Sequence, residues 1–174
     1  MTRNAVWLYV RFTRQEAKEL SGELLARAAE AFWSKTGFTK EEICRTPKGK
    51  PYFPSGRVHL SVTHTGNLFA AAFALFPIGI DGERTEESRP HLAEKKFSPE
   101  ERALPFSYVW CAKEAVSKLV GEGLGMLHRV SVRCGQGEFD GKTYPLKTVT
   151  ARDYTLVLAA EEGWEYGTEA LSEE

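Results

Sequence analysis

The amino-acid sequence predicts an α+β protein built as two lobes, 1–77 and 78–174, each a helix packed on a small antiparallel sheet. Three observations predict it. A strand pattern followed by a helix pattern and more strands occurs twice along the chain, Pro77 interrupts the chain between the two occurrences, and 174 residues at 42% apolar content suffice for an ordinary core or for two small ones. No residue-level repeat relates the halves.

The elements follow in order. Residues 5–12 mix Val, Trp, Leu and Tyr, as a first strand does. Thr13 is a candidate N-cap with Glu16 three residues on, and Ala17, Leu20, Leu24, Ala28, Ala31 and Phe32 recur at helical spacing until Gly37. Pro47, Gly49, Pro51, Pro54 and Gly56 punctuate the connection that follows. Val58, Leu60 and Val62 alternate, Thr65-Gly66-Asn67 has turn chemistry, and residues 68–76 are apolar enough for a buried return strand, so a hairpin is predicted. Beyond Pro77, residues 78–80 are short and apolar. Ser98-Pro99-Glu100-Glu101 predicts a helix start with proline at the first helical position, and residues 107–120 predict a helix that Gly121 stops. Residues 129–133, 144–151 and 154–160 are predicted strands, residues 135–137 a turn, and the acidic end from Glu161 a frayed tail.

Composition excludes several classes of function. The 23 basic and 24 acidic residues nearly cancel, so the chain lacks the cationic field of a nonspecific nucleic-acid binder. Cys44, Cys111 and Cys134 are an odd number without CxxC spacing, which argues against a disulfide framework or a zinc site and fits a reducing cytoplasm. Residues 68–80 fall short of the roughly 20 needed to span a bilayer and contain Pro77, so a soluble, cytoplasmic protein without a membrane partner is expected.

Chemistry concentrates in a few segments. Asp81 and Glu83 lie beyond an apolar strand and, being two apart, share a side if the backbone stays extended; acids there can equally mark the solvated end of a strand. Glu114 and Lys118, four apart, form an ordinary helical surface pair, yet they lie beside Trp110 and opposite the apolar stripe of Val109, Ala112, Val116, Leu119 and Val120, as on the wall of a cleft. Three carboxylates and an ammonium suit a hard divalent cation on a diphosphate. His64 alternates with Val62 and Leu60, as a core histidine would; flanked by Thr63 and Thr65 before a turn, it could also meet a phosphate. Lys48-Gly49-Lys50-Pro51 is an exposed turn or a place where a cation and bare backbone approach an anion.

The order of these segments carries more information than any one of them. Gly49-Lys50-Pro51, Ser61-Val62-Thr63-His64-Thr65-Gly66, Ile78-Gly79-Ile80-Asp81-Gly82-Glu83, Phe97-Ser98-Pro99-Glu100-Glu101, residues 110–118 (WCAKEAVSK) and Gly121-Glu122-Gly123-Leu124 together resemble the 4′-phosphopantetheinyl transferases of the surfactin-synthetase-activating (Sfp) type. The resemblance implies a pseudo-twofold pair of α+β lobes with the active site between them. It further implies Mg²⁺-dependent transfer of 4′-phosphopantetheine from coenzyme A to a serine of an apo acyl or peptidyl carrier protein, releasing adenosine 3′,5′-bisphosphate. By motif, Asp81, Glu83 and Glu114 would bind the metal. Glu114 would take the serine proton, directly or through water, and Lys118 would hold a diphosphate oxygen. Thr63 and His64 would contact a coenzyme phosphate, while Lys50, Gly49 and Pro51 flank the adenine nucleotide. The cysteines are spectators in this reading, and a monomer is the simplest assembly.

The sequence departs from that pattern in three places. Glu19 stands where an arginine is expected, with Arg14, Lys18 and Arg27 nearby; Gly82 replaces an apolar residue; and the gap from Asp81 to Glu114 is shorter than in larger members. Two other functions are compatible with the same residues: Mg²⁺-dependent chemistry on another nucleotide diphosphate, or noncatalytic binding of carrier proteins.

Overall fold

The computed structural model describes residues 5–121, 124–161 and 165–171. They form an α+β protein whose chain divides into two compact units, residues 1–78 with 164–174, and residues 79–163.

In the first unit, β1 (Ala5–Phe12) is followed by α1 (Ser21–Thr36), the short pair β2 (Cys44–Arg45) and β3 (Pro51–Tyr52), and the hairpin of β4 (His59–Thr65) and β5 (Leu68–Ala74). The hairpin forms as expected. Thr65 pairs with Leu68, leaving Gly66-Asn67 as a two-residue loop, and Gly66 takes the left-handed φ of +50° that the loop requires. Helix α1 starts later than its apolar spacing predicts. The amides of Thr13 and Ala17 donate to Asn67 O and Gly66 O at 2.9 and 2.8 Å, and the Thr13 hydroxyl donates to Asn67 O as well. The hairpin loop therefore claims the backbone groups that a first helical turn would need. From Ser21 the helix buries Leu24, Leu25, Ala28, Ala29, Phe32 and Trp33 on one face, and it ends at Gly37 with φ +69°. That face packs on Trp7, Tyr9, Phe69 and Phe73; the Phe32 and Phe73 rings stack with centroids 4.8 Å apart. Full burial of each such ring contributes about 2–3 kcal/mol.

The second unit begins in β6 (Ile78–Arg84), continues through α2 (Pro90–Lys96) and α3 (Phe106–Val120), and then runs β7 (Ser131–Arg133), β8 (Gln136–Phe139), β9 (Lys142–Ala151) and β10 (Tyr154–Ala160). Its sheet order is β6-β10-β9-β8-β7. Helix α3 buries Val109, Cys111, Ala112, Ala115 and Val116 against a core that includes Val132, Phe139, Tyr144, Val157 and Ala159. Gly121, at φ +80°, caps it as expected.

Three expectations are corrected in this unit. The helix start at Ser98 makes its reciprocal bonds, with Glu101 N donating to Ser98 Oγ at 3.2 Å and Ser98 N to a Glu101 carboxylate oxygen at 2.8 Å, but only a single 3₁₀ turn, Glu101–Ala103, follows. Leu104 precedes Pro105 and is extended (ψ 159°), because the proline ring excludes the helical conformation from the residue before it. The turn expected at 135–137 is shorter: Cys134-Gly135, with Gly135 at φ +77°, joins β7 to β8, Gly137 lies within β8, and the hairpin of β8 with β9 is made by Asp140-Gly141 at φ +50° and +75°. Finally, the acidic tail is not simply frayed. Residues Gly167–Leu171 form β11, which pairs in parallel with β1 and completes the first unit's sheet in the order β11-β1-β5-β4. The chain end thus returns to the first unit, and the boundary at 78–174 does not hold at its far end. Among the described residues no helix is long and apolar enough to cross a membrane.

Candidate active site

The site is built where α3 runs against β6. A Cβ placed on Gly79 would lie 1.9 Å from the carbonyl oxygen of Ala115, so only glycine admits this approach of helix to strand. The approach sets the register of everything next to it. Ser107 Oγ donates to Thr85 O at 3.0 Å at one end of the helix, and Lys118 Nζ donates to Ile80 O at 2.9 Å at the other. Cys111 and Glu114, spaced with Lys118 along one helical stripe, fall between these two anchors.

Strand β6 stays extended through Asp81-Gly82-Glu83, so both acids project to one side of the strand. They are not at a solvated strand end. Asp81, Glu83 and Glu114 are 8%, 6% and 5% exposed. Lys118 Nζ donates to Asp81 Oδ1 at 2.8 Å. Glu114 has its pKa raised to about 7, first by burial and then by the charge of Asp81, against a lowering by Lys118. Asp81, Glu114 and Lys118 therefore form one electrostatic cluster. Burial pushes the Cys111 thiol well up, helped by the charges of Asp81 and Glu83, so it stays a neutral filler.

Glu83 is held differently. Its Oε1 accepts from Arg84 N at 3.0 Å and its Oε2 from Arg89 Nη2 at 2.9 Å, while Arg89 Nε donates to Glu87 at 3.1 Å. Sequence reasoning missed Arg89 because a turn separates it from Glu83 and no periodicity links the two. It also missed Lys113, whose ammonium is buried with Glu101 at 3.0 Å and donates to the carbonyls of Val130 and Leu127. A third Glu101 bond, from Val132 N at 2.7 Å, completes a clamp joining residues 98–103, α3 and β7. This clamp holds the helix that carries Glu114.

The residues expected to contact the nucleotide lie in the first unit. Gly49, at φ +83°, and Lys50 sit in the exposed β2–β3 turn, closed by Thr46 N donating to Lys50 O at 2.9 Å, with Pro51 opening β3. Thr63 is buried and His64 exposed, on opposite faces of β4, so His64 is not a core histidine and the two side chains diverge. Thr63 and Thr65 share a face. Of the last motif, Glu122 and Gly123 lie outside the described residues.

Among the described residues, no three His, Cys, Asp or Glu side chains are gathered closely enough to hold a metal as they are oriented here; Lys118 is bonded to Asp81 and Arg89 to Glu83. The donor chemistry nevertheless fits a hard cation. Three buried carboxylates stand on two facing elements, and the proton affinity of Glu114 is raised by burial and then by the charge of Asp81, a crowding of acids that a divalent ion relieves.

Residues 77–156 match the family model of the 4′-phosphopantetheinyl transferase superfamily. A 4′-phosphopantetheinyl transferase of Bacillus subtilis is 33% identical over 98 residues, covering 49% of this chain and 44% of the relative. The 4′-phosphopantetheinyl transferase Sfp of Bacillus subtilis strain 168 is 33% identical over 101 residues, covering 51% and 45%. The chain spans about half the length of the curated relatives it matches. The strand, helix and acids of this site lie within residues 77–156, the part of the chain that is similar to the 4′-phosphopantetheinyl transferase superfamily.

Proposed function

We propose that this protein transfers the 4′-phosphopantetheine arm of coenzyme A to a serine hydroxyl of an apo acyl or peptidyl carrier protein, releasing adenosine 3′,5′-bisphosphate. The observation that carries the reading is the placement of Glu114, a buried carboxylate on α3, beside Asp81 and the Lys118 ammonium, within the residues that match the transferase family model. Two relatives bearing the transferase name, each matched over about half of this chain, support it.

Each residue then has a task set by its chemistry. Glu114 accepts the proton as the serine oxygen bonds to the phosphorus bearing the pantetheine arm. The bond from that phosphorus to the bridging diphosphate oxygen breaks, and the Lys118 ammonium, anchored on Ile80 O, offsets the negative charge that develops. Asp81 and Glu83, with Glu114, would hold Mg²⁺, which when bound neutralises the diphosphate and orients it. Thr63 and His64 would contact a coenzyme phosphate, and Lys50, Gly49 and Pro51 would flank the adenine nucleotide. Burial at the acid cluster strengthens every one of its charge interactions relative to water.

Intact-mass spectrometry tests the proposal. An apo carrier protein incubated with coenzyme A, Mg²⁺ and this protein gains one phosphopantetheine; absence of that mass across a panel of carrier proteins refutes the transferase reading.

A further inference from the structure

The acid cluster supplies its own counter-ions, and the two are not alike. Lys118 is anchored on Asp81 and on the Ile80 carbonyl within the same short reach, so its head is fixed to β6. Arg89 lies beyond the end of β6, at the residue before α2. One edge of its guanidinium bonds Glu83 Oε2 at 2.9 Å, another bonds Glu87 Oε1 at 3.1 Å, and its carbon stands 5.9 Å from the centroid of the Phe106 ring. Its side chain is 39% exposed, against 8% for Glu83.

We infer that Arg89 is a displaceable internal cation that occupies Glu83 and sets the affinity of the acid cluster for a divalent metal. The inference rests on the metal site proposed above. Oε2 of Glu83 accepts from Arg89 and Oε1 from Arg84 N, so an ion that takes Oε2 competes with the Arg89 bond, and the guanidinium charge opposes an ion even at the neighbouring oxygen. Breaking it leaves neither group stranded: Glu83 gains the ion, while Arg89 keeps Glu87 and the face of Phe106 and sits far enough out to be hydrated. An arginine paired to Glu83 alone would lose its only ionic partner on release. The second acceptor is what makes the exchange low in free energy, and it makes Glu87 part of the device.

The test is Mn²⁺ binding to the full chain, read from the free-ion electron paramagnetic resonance signal, with and without coenzyme A. Arg89→Gln removes the competitor, and its dissociation constant for Mn²⁺ should fall about three- to tenfold. Glu87→Gln removes the alternative acceptor and should raise that constant; in the Arg89→Gln background the same change should have little effect. Arg84→Gln controls for charge alone, because Arg84 is paired with Asp153 at 2.5 Å and packs over Tyr154 instead of gripping the Glu83 side chain. It should shift the constant far less than Arg89→Gln does. Circular dichroism confirms that the variants are folded, and a misfolded Arg89→Gln is replaced by Arg89→Lys, which cannot bridge two carboxylates with one planar group and should also bind more tightly. Unchanged or weaker binding in the folded Arg89 variants, or an equal gain in Arg84→Gln, overturns the inference while the metal site stands. No Mn²⁺ binding by the wild type in either condition refutes the metal site itself, and the inference with it.

Discussion

At the scale of single residues, the site is governed by how much charge can be kept out of water. An unfolded glutamate ionises near 4.5, whereas folded Glu114 does so near 7. Between those values the folded protein holds a proton that the unfolded chain has lost, so the stabilising contribution is present below about pH 4.5 and disappears as pH rises to about 7. In metal-free protein this amounts to an upper bound of roughly 3 kcal/mol. Glu114→Gln should therefore be more stable than wild type at pH 8, by up to that amount, and nearly equal to it below about pH 4.5, as urea unfolding at the two pH values would show. If the protein has the proposed transferase function, the same variant, and Asp81→Asn, should reduce phosphopantetheine transfer by about 100-fold or more while leaving the circular dichroism spectrum unchanged. The buried pair of Lys113 and Glu101 has a different signature. Lys113→Met leaves the Glu101 carboxylate buried with only the amides of Ser98 and Val132, and should cost about 3 kcal/mol in urea unfolding at neutral pH.

At the scale of elements, the contact of α3 with β6 decides where the functional groups stand. Gly79→Ala would drive a methyl group into the Ala115 carbonyl, so the helix must lift from the strand, at a cost of about 3 kcal/mol or more and with loss of the Lys118 bond to Ile80 O. Gly22→Ala is the matched control. Gly22 lies in α1 with open space where the Cβ would go, and the change should stabilise by about 0.5–1 kcal/mol. Thermal unfolding of both variants would check the contrast. The elements were legible in the sequence to different degrees. Periodicity located β1, most of α1, the β4–β5 hairpin, α3 and β10, because each is a local pattern of burial. It did not locate the short α2, which buries no side chain, and it overextended the start at Ser98, where Pro105 ends the turn. Asp140-Gly141 was a readable hairpin signal that the glycines at 135 and 137 obscured.

At the scale of the whole molecule, the chain end matters more than its composition suggests. Strand β11 lies on the edge of the first unit's sheet, with Leu171 7% exposed and Tyr166 packed 5.5 Å from Phe76. Ending the chain at Glu161 would bare the edge of β1 and remove this packing. Its melting temperature should fall by roughly 5 °C or more, with greater aggregation seen by light scattering. Metal binding by the second unit is expected to survive the truncation, since no residue of the acid cluster lies in the deleted segment.

By itself the sequence determined the α+β class, the order of most elements, and which acids and ammonium are candidates for the chemistry, since apolar periodicity, turn residues and ordered motifs are properties of neighbouring positions. The tertiary structure decided which charges meet: Lys118 with Asp81 across 37 residues, Glu101 with Lys113, and Arg89 with Glu83 around a turn. It also decided that the tail returns to pair with β1. These pairings depend on distances between segments remote along the chain, and such distances are set by the close approach that Gly79 permits and by the sheets, which impose no period on the residues they bring together.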